Sequence, residues 1–398
     1  MLLTLEALPA RHGDALLLHC GKTSAPDHYL IDGGWKNVYV NALKPRLDAL
    51  RGSQPTLPIR LVMVSHVDED HITGIVDLTA ELRNQLQSNS PRSYKIQSVW
   101  HNSFDDILGN GAKTLSQAGA SVLQTASAGA VAGLEIPLGE EAAIRLAGIA
   151  QGRTLRDDAK LLGWEINKPS ANSLMVASAA PIEITPGVKI RVVGPGPDQV
   201  AEFVKEWDKY LKKKGLGVST AGVELAQYLD DSAANLSSIV AHVQCEDKEI
   251  LLTGDARGDF ILEGMEKAGL LTPGGTRHLT VLKAPHHGSD RNVETEFFKR
   301  LPADHYIFSA DGEYGNPDLP TFGMLFKARS DSKPFTIHLT YDPATYRQDS
   351  KKHLDYPLAK LQALFKAQRD SGRQFTVNFP PGPGKFIRID LLDAYTGP

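Results

Sequence analysis

The chain has 398 residues, 41% of them hydrophobic, enough to bury a large core as one α/β unit or as a main domain with an elaboration. A formal net charge of −4 excludes a basic nucleic-acid-binding surface at the level of the whole chain, though not a local patch. No apolar stretch is long enough to span a bilayer, and Met1-Leu2-Leu3-Thr4-Leu5-Glu6 meets a charge too soon for a signal peptide, so no membrane is expected as a partner.

A β-rich start is expected. Arg11-His12-Gly13-Asp14-Ala15 leads into the apolar run Leu16 to His19, and Tyr29-Leu30-Ile31 leads into Asp32-Gly33-Gly34. Cys20 and Cys245 each sit in an apolar, strand-like context, which fits buried free thiols better than a disulfide and points to a reducing cytoplasm. The run Ile59, Leu61, Val62, Met63, Val64 reads as a strand that ends in Ser65-His66-Val67-Asp68-Glu69-Asp70-His71-Ile72-Thr73-Gly74. Beyond it, Ile72, Ile75, Val76, Leu82 and Leu86 recur at helical spacing, so this segment lies at a strand-to-helix junction. A strand end aims alternate side chains at one point, and the turn can bring Asp70 and His71 in beside His66 and Asp68. Imidazoles with carboxylates suit borderline divalent metals such as zinc or manganese. The alternative is a solvated acidic turn.

Ile96 and Val99 precede another expected strand end at Trp100-His101, where the imidazole faces either the site or nothing specific. The span 148–231 reads as an inserted lid or elaboration, with a strand pair around Ile182 to Ile184 and Lys189 to Val193. Gly194-Pro195-Gly196-Pro197 has no Lys-Ser/Thr ending and is a turn rather than a phosphate loop. Val200, Phe203, Val204, Trp207 and Leu211 then mark one face of a helix whose lysines, Lys205 and Lys209 among them, are either solvated or guide a substrate.

Two later apolar runs end in the same kinds of ligand: Ile250-Leu251-Leu252-Thr253-Gly254-Asp255, and Leu279 to Leu282 followed by Lys283-Ala284-Pro285-His286-His287-Gly288-Ser289. The Lys283 side chain is expected to snorkel along the surface. A helix near Pro320 to Ala328, a strand at Phe335 to Thr340, a helix from Tyr356 to Arg369 and strands at Gln374 to Phe379 and Lys385 to Leu392 complete the chain. No boundary detaches the C-terminal part, so residues 1–398 read as one domain.

Taken together, these segments resemble the metallo-β-lactamase superfamily, in particular its ComEC-like branch. That branch carries S-H-x-D-x-D-H-x-x-G, an apolar run ending in T-G-D, and a terminal H-H-G-S, which match Ser65 to Gly74, Thr253 to Asp255 and His286 to Ser289. The segments at Asp14 and Asp32 and the N-x-x-S of Asn235 to Ser238 agree as well, over roughly residues 1 to 345. The resemblance implies an α/β fold, the αββα sandwich, here with an inserted segment and a C-terminal helix/strand extension. It also implies two divalent metal ions, Zn²⁺ or Mn²⁺. His66 and Asp68 would hold one, Asp70, His71 and His287 the other, and Asp255 would bridge them, with the nucleophilic water between.

Asp70 and His286 are then the catalytic candidates, His286 by holding a substrate oxygen or protonating the leaving group. Asn235, Ser238 and Asn316 would contact substrate, and Asp14 and Ser289 would support the ligands. Two departures stand out. Tyr314-Gly315-Asn316-Pro317 replaces the branch's Y-G-H-P, exchanging an imidazole for an amide that cannot act as an acid near neutral pH. Asp68 stands where the lactamases proper have a second histidine, a harder ligand that tilts the site toward manganese. The implied function is a metal-dependent phosphodiesterase or nuclease, with nucleic acid as the first choice of substrate. A small phosphodiester or ester substrate, and a weakly active interaction module in a multi-protein system, are the alternatives.

Overall fold

A computed structural model describes residues 1–103, 106–107, 140–171, 173–201, 205, 237–330, 333–347, 355–382 and 384–397. The first half of the chain builds one mixed sheet from β1 (Leu2–Ala7), β2 (Leu16–Lys22), β3 (Ala25–Ile31), β4 (Leu57–Met63), β5 (Tyr94–Trp100) and β6 (Glu165–Ile166). The second sheet runs in chain order from edge to edge: β7 (Ile182–Thr185), β8 (Val188–Gly194), β9 (Val240–Cys245), β10 (Lys248–Leu252), β11 (Leu279–Lys283), β12 (Ala303–Phe308), β13 (Phe335–Leu339) and β14 (Phe375–Asn378). A last strand, β15 (Ile387–Asp390), returns to the first sheet and pairs antiparallel with β1, Thr4 opposite Asp390.

The two-residue period of a strand divides its side chains between two cores. Leu3 and Leu5 of β1, Ile31 of β3 and Met63 of β4 face inward and meet Ile190, Val243, Ile250, Val281 and Ile307 of the second sheet. Both cysteines join this inter-sheet layer, buried and unpaired with each other. On the outer face of the first sheet, Leu30, Val62 and Val99 pack under α1 (Lys44–Arg51), α2 (Glu69–Gln87) and α3 (Glu140–Leu162) through Leu47, Ile72, Leu78 and Leu155. The second sheet is covered by α4 (Gly258–Lys267), α5 (Thr295–Arg300), α6 (Leu319–Ala328) and α7 (Leu358–Asp370), whose Ile261, Phe297, Phe322 and Phe365 lie over Leu251, Leu282, Tyr306 and Ile337. This is the αββα sandwich that the resemblance implies.

The central strands are parallel, β3 with β4 and β5 in one sheet and β10 through β14 in the other. Toward their C-terminal ends the strands are buried on both faces and read as apolar runs, such as Leu61 to Met63, Ile250 to Leu252 and Tyr306 to Phe308, whereas the N-terminal halves of β4 and β5 alternate with exposed residues. The C-terminal ends share a rim, which is where an open α/β sheet presents its polar loops.

Several expected elements differ in detail. The stripe on α2 ends at Leu82; Leu86 is 40% exposed, because the helix runs past the sheet that it covers. Within the span 148–231, β6 joins the first sheet while β7 and β8 form an edge of the second. The lysine-bearing stretch after Val200 lies outside the described residues apart from Ala201 and Lys205. No helix among the described residues is long and apolar enough to cross a membrane.

Candidate metal centre

The functional side chains lie on the connections at one end of the two sheets. Asp32 comes one residue after β3, at φ 57°, and Ser65 to His71 carry β4 over into α2. Asp14 lies in the connection from β1 to β2, on the same rim because β2 is antiparallel to β3. From the second sheet, Asp255 follows β10 and His286 and His287 follow β11. Two glycines let these loops meet. A Cβ on Gly13 would overlap the carbonyl oxygen of Asp70, and Gly254, at φ 50°, would set one 2.9 Å from Ser65 Cβ.

The result is a buried cluster in which one ligand atom from each of Asp14, His71, Asp255 and His287 falls within 4.8 Å of the others, and likewise for His66, Asp70 and His71. His71 Nε2 is 3.3 Å from Asp255 Oδ1 and 3.2 Å from His287 Nε2. The other Asp255 oxygen, Oδ2, lies 3.4 Å from His287 Nε2 and 3.8 Å from His66 Nε2. Asp70 Oδ2 is 3.4 Å from His287 Nε2, and Asp68 Oδ2 is 3.6 Å from His66 Nε2. Asp255 thus stands between the two groups of ligands.

Supporting contacts aim these groups. Asp32 Oδ2 lies 2.9 Å from His71 Nδ1 and accepts the Ser65 hydroxyl at 2.8 Å, while its Oδ1 accepts the Ser65 backbone N–H at 2.7 Å. Ser309 Oγ donates to Asp14 and lies 3.3 Å from His287 Nδ1. Ser238 Oγ accepts the Asp255 backbone N–H at 3.3 Å. The backbone N–H of Ser289 closes the histidine turn on His286 O at 2.8 Å.

His286 and His287 do not continue an extended backbone, as strand alternation would require. Both are left-handed, at φ 45° and 54°, in a short turn over Pro285–Gly288. The turn, rather than the pleat, separates their rings, which lie at 85° to each other. His287 is buried in the cluster; the His286 side chain is one-third exposed, with Nδ1 2.9 Å from Asn292 Oδ1 and Nε2 3.7 Å from Asp255 Oδ2.

Burial works against every charge here; the neighbouring charges overcome it at Asp14, Asp70, His71, Asp255 and His287, whereas at His286 burial prevails and lowers the imidazole. Desolvation alone would raise the Asp255 carboxyl, yet His287, His71 and His286 hold it far below the usual range. Asp70 and Asp14 are held down against the same penalty, Asp70 by His71 and His287, Asp14 by Lys283 and His287. Burial would lower the His287 imidazole, but Asp255 and Asp14 push it up to about 10.

Among the sequence-derived candidates, His66, Asp68, Asp70, His71, Asp255, His286 and His287 meet at this rim, with Asp14, Ser238 and Ser289 in support. Asn235 lies outside the described residues. Asn316 sits on the segment that covers the histidine turn, where the Asp318 N–H donates to Gly288 O at 3.0 Å. Lys283 does not snorkel: it is fully buried, with Nζ 2.5 Å from Asp14 Oδ2, because position 283 faces the other sheet. Lys283, Asp32, Ser65 and Ser309 were missed as site residues, although Asp32 closes an apolar run just as Asp255 does.

His101 is buried at the end of β5, with its main chain tied to Asn167 and neither ring nitrogen hydrogen-bonded among the described residues. A third grouping, His12, Asp311 and Glu313, has its carboxylates engaged by guanidiniums, Arg11 Nη2 2.7 Å from Glu313 and Arg347 Nε 3.1 Å from Asp311.

The central cluster fits divalent cations. Its donors are imidazoles and carboxylates, and the buried His66 Nε2 and Asp255 Oδ1 have no hydrogen-bond partner among the described residues. No protein-family model matches the chain, and no curated protein matches it. Among solved structures it is similar to Zn²⁺-bound PqqB from Methylobacterium extorquens, at 12% identity and TM-score 0.38, over 95% of this chain and 87% of that one. Another likeness is to CmlA, a diiron β-hydroxylase from Streptomyces venezuelae, at 10% identity and TM-score 0.37, over 98% of this chain and 54% of that one, so that the chain spans about half of CmlA. A protein from Parabacteroides distasonis described as a metal-dependent hydrolase is similar at 9% identity and TM-score 0.31, over 93% and 90% of the two chains. At these scores none of the three carries an argument about chemistry, which rests on the residues themselves.

Proposed function

We propose that this protein is a metal-dependent hydrolase acting on phosphodiesters, with nucleic acid the first substrate class to test and small phosphodiesters the second. The observation that carries the reading is the convergence of His66, Asp70, His71, Asp255 and His287 from both sheets, with His66 Nε2 and Asp255 Oδ1 buried and making no hydrogen bond among the described residues. His66 and Asp68 on one side, Asp70, His71 and His287 on the other, and Asp255 between them would hold two divalent ions. Such ions, when bound, supply Lewis acidity to a water and to the phosphoryl oxygens.

The chain's own residues do the rest. A carboxylate only accepts hydrogen bonds, so Asp32 fixes the proton of His71 on Nδ1 and turns Nε2 toward Asp255. Asn292 Nδ2 lies 3.4 Å from the Asp255 carbonyl oxygen, which leaves its Oδ1 to accept from His286 Nδ1. His286, whose side chain is one-third exposed, then presents Nε2 3.7 Å from Asp255 Oδ2, placed to exchange a proton with an oxygen of the substrate. An anionic donor set balanced by dications suits a phosphoryl group in particular.

The test is a panel of single- and double-stranded DNA, RNA and a bis-aryl phosphodiester, each with Mn²⁺ and with Zn²⁺. Metal-dependent turnover of at least one phosphodiester is expected. Metal binding without turnover of any would shift the reading to the interaction module that Asn316 suggests.

A further inference from the structure

We infer that Lys283 is a built-in cation of the centre, a positioning residue that keeps Asp14 out of the metal-ligand set and leaves the other carboxylates to two divalent ions. The inference rests on the metal-centre reading above. Lysine is almost never fully buried unless it is paired, and here the ammonium ends a core strand, β11, with no exposure. Its Nζ lies 2.5 Å from Asp14 Oδ2 and 3.8 Å from Asp255 Oδ1, and donates to the Gly254 carbonyl oxygen at 3.1 Å.

By distance alone, Asp14 would count among the ligands. One of its oxygens falls within the same 4.8 Å grouping as His71, Asp255 and His287. What separates it from them is direction. Asp14 meets the Nδ1 side of both rings, at 3.9 Å for His71 and 3.5 Å for His287, whereas their Nε2 atoms face Asp255 at 3.3 and 3.4 Å. A dication on the Asp14 side would have to share its carboxylate with an ammonium already in contact. Charge leads to the same assignment. With the imidazoles neutral as ligands, Asp14, Asp32, Asp68, Asp70 and Asp255 carry five formal negative charges, which one ammonium and two dications would neutralise.

Lys283 therefore serves two ends. It satisfies the buried carboxylate nearest the inter-sheet core, and its repulsion weakens the hold on any ion beside Asp255. A residue that merely braced the fold would lower metal affinity when removed; a competing cation should raise it.

The test is calorimetric titration of the folded full chain with Mn²⁺, with elemental analysis for stoichiometry, on wild type and Lys283→Met. The neutral side chain is expected to tighten Mn²⁺ binding by about 10-fold or more, since a unit charge a few ångströms from an ion is worth at least that in a protein interior. A folded Lys283→Met protein that binds Mn²⁺ equally or more weakly overturns the inference while leaving the metal centre intact. If Lys283→Met does not fold, Asp14→Asn/Lys283→Met removes both members of the buried pair and is compared with Asp14→Asn. Tighter binding by the double variant supports the assignment, and equal or weaker binding overturns it. Failure of wild type to bind either Mn²⁺ or Zn²⁺ overturns the metal-centre reading and this inference with it.

Discussion

Asp32 and His71 form a direct orienting contact in the centre, a 2.9 Å approach of Oδ2 to Nδ1 between two buried side chains from successive strand ends. The same carboxylate accepts the backbone N–H and hydroxyl of Ser65, so one residue sets both the imidazole and the loop that carries His66. Asp32→Asn keeps the shape but can present an N–H where an acceptor is needed. It is expected to weaken metal binding or activity by about 10- to 100-fold, the usual cost of losing a partner behind a ligand. Binding isotherms on the folded variant check this, and unchanged affinity would remove Asp32 from the site.

Asp255 and Asp14 should respond differently to the same change. Asp255 faces both ligand groups, whereas Asp14 is held by Lys283 and Ser309. Asp255→Asn is expected to abolish turnover and lower metal stoichiometry; Asp14→Asn should cost about 10- to 100-fold and leave the stoichiometry unchanged. Small, equal effects in elemental analysis and rate would contradict this.

The two adjacent histidines provide a sharper contrast. His287→Ala should lose metal and activity together, since its ring lies between Asp70 and Asp255. His286→Ala should retain near wild-type occupancy and reduce turnover by about 10²- to 10⁴-fold, the range for lost acid–base assistance. Metal titration of both variants distinguishes them, and the reverse pattern would exchange the roles.

Away from the centre, Glu249 makes a pH prediction with a definite sign. Burial opposes its charge, but His242 at 2.9 Å and Arg277 at 2.6 and 2.7 Å lower its carboxyl from the ordinary 4.5 to about 2. An acid with a depressed folded value contributes stability above about 4.5, and that contribution is lost as the pH falls toward 2. The stability gap between wild type and Glu249→Gln should therefore narrow from pH 5 to pH 3 in denaturant melts. A constant gap would show that the charge contributes nothing.

Much of this was legible in the chain itself, for a physical reason. Strands buried on both faces must be apolar throughout, so the aspartates and histidines at 32, 66, 255 and 287 mark where each strand leaves the core. The turn at His286 and His287 was not legible, because nothing in the pattern announces two consecutive non-glycine residues in the left-handed region. Nor was the burial of Lys283, whose side chain reads as surface until a second sheet brings Asp14 against it. Local pattern specifies strand ends, whereas partners across the sandwich depend on which sheet comes to face which.

The centre takes Asp14, Asp32, His66, Asp70 and His71 from one sheet and Asp255, Lys283 and His287 from the other. Beneath it the sheets meet through apolar side chains such as Leu18, Met63, Ile250 and Val281, which set a spacing without fixing a direction. Coordination is far less tolerant of sliding than oily contact is, and a close-packed interior transmits displacement. The ligands thus act as a gauge of how the two halves are seated. A void opened beneath the rim, at Leu18 for example, can change how tightly an ion is gripped there although no ligand has been altered.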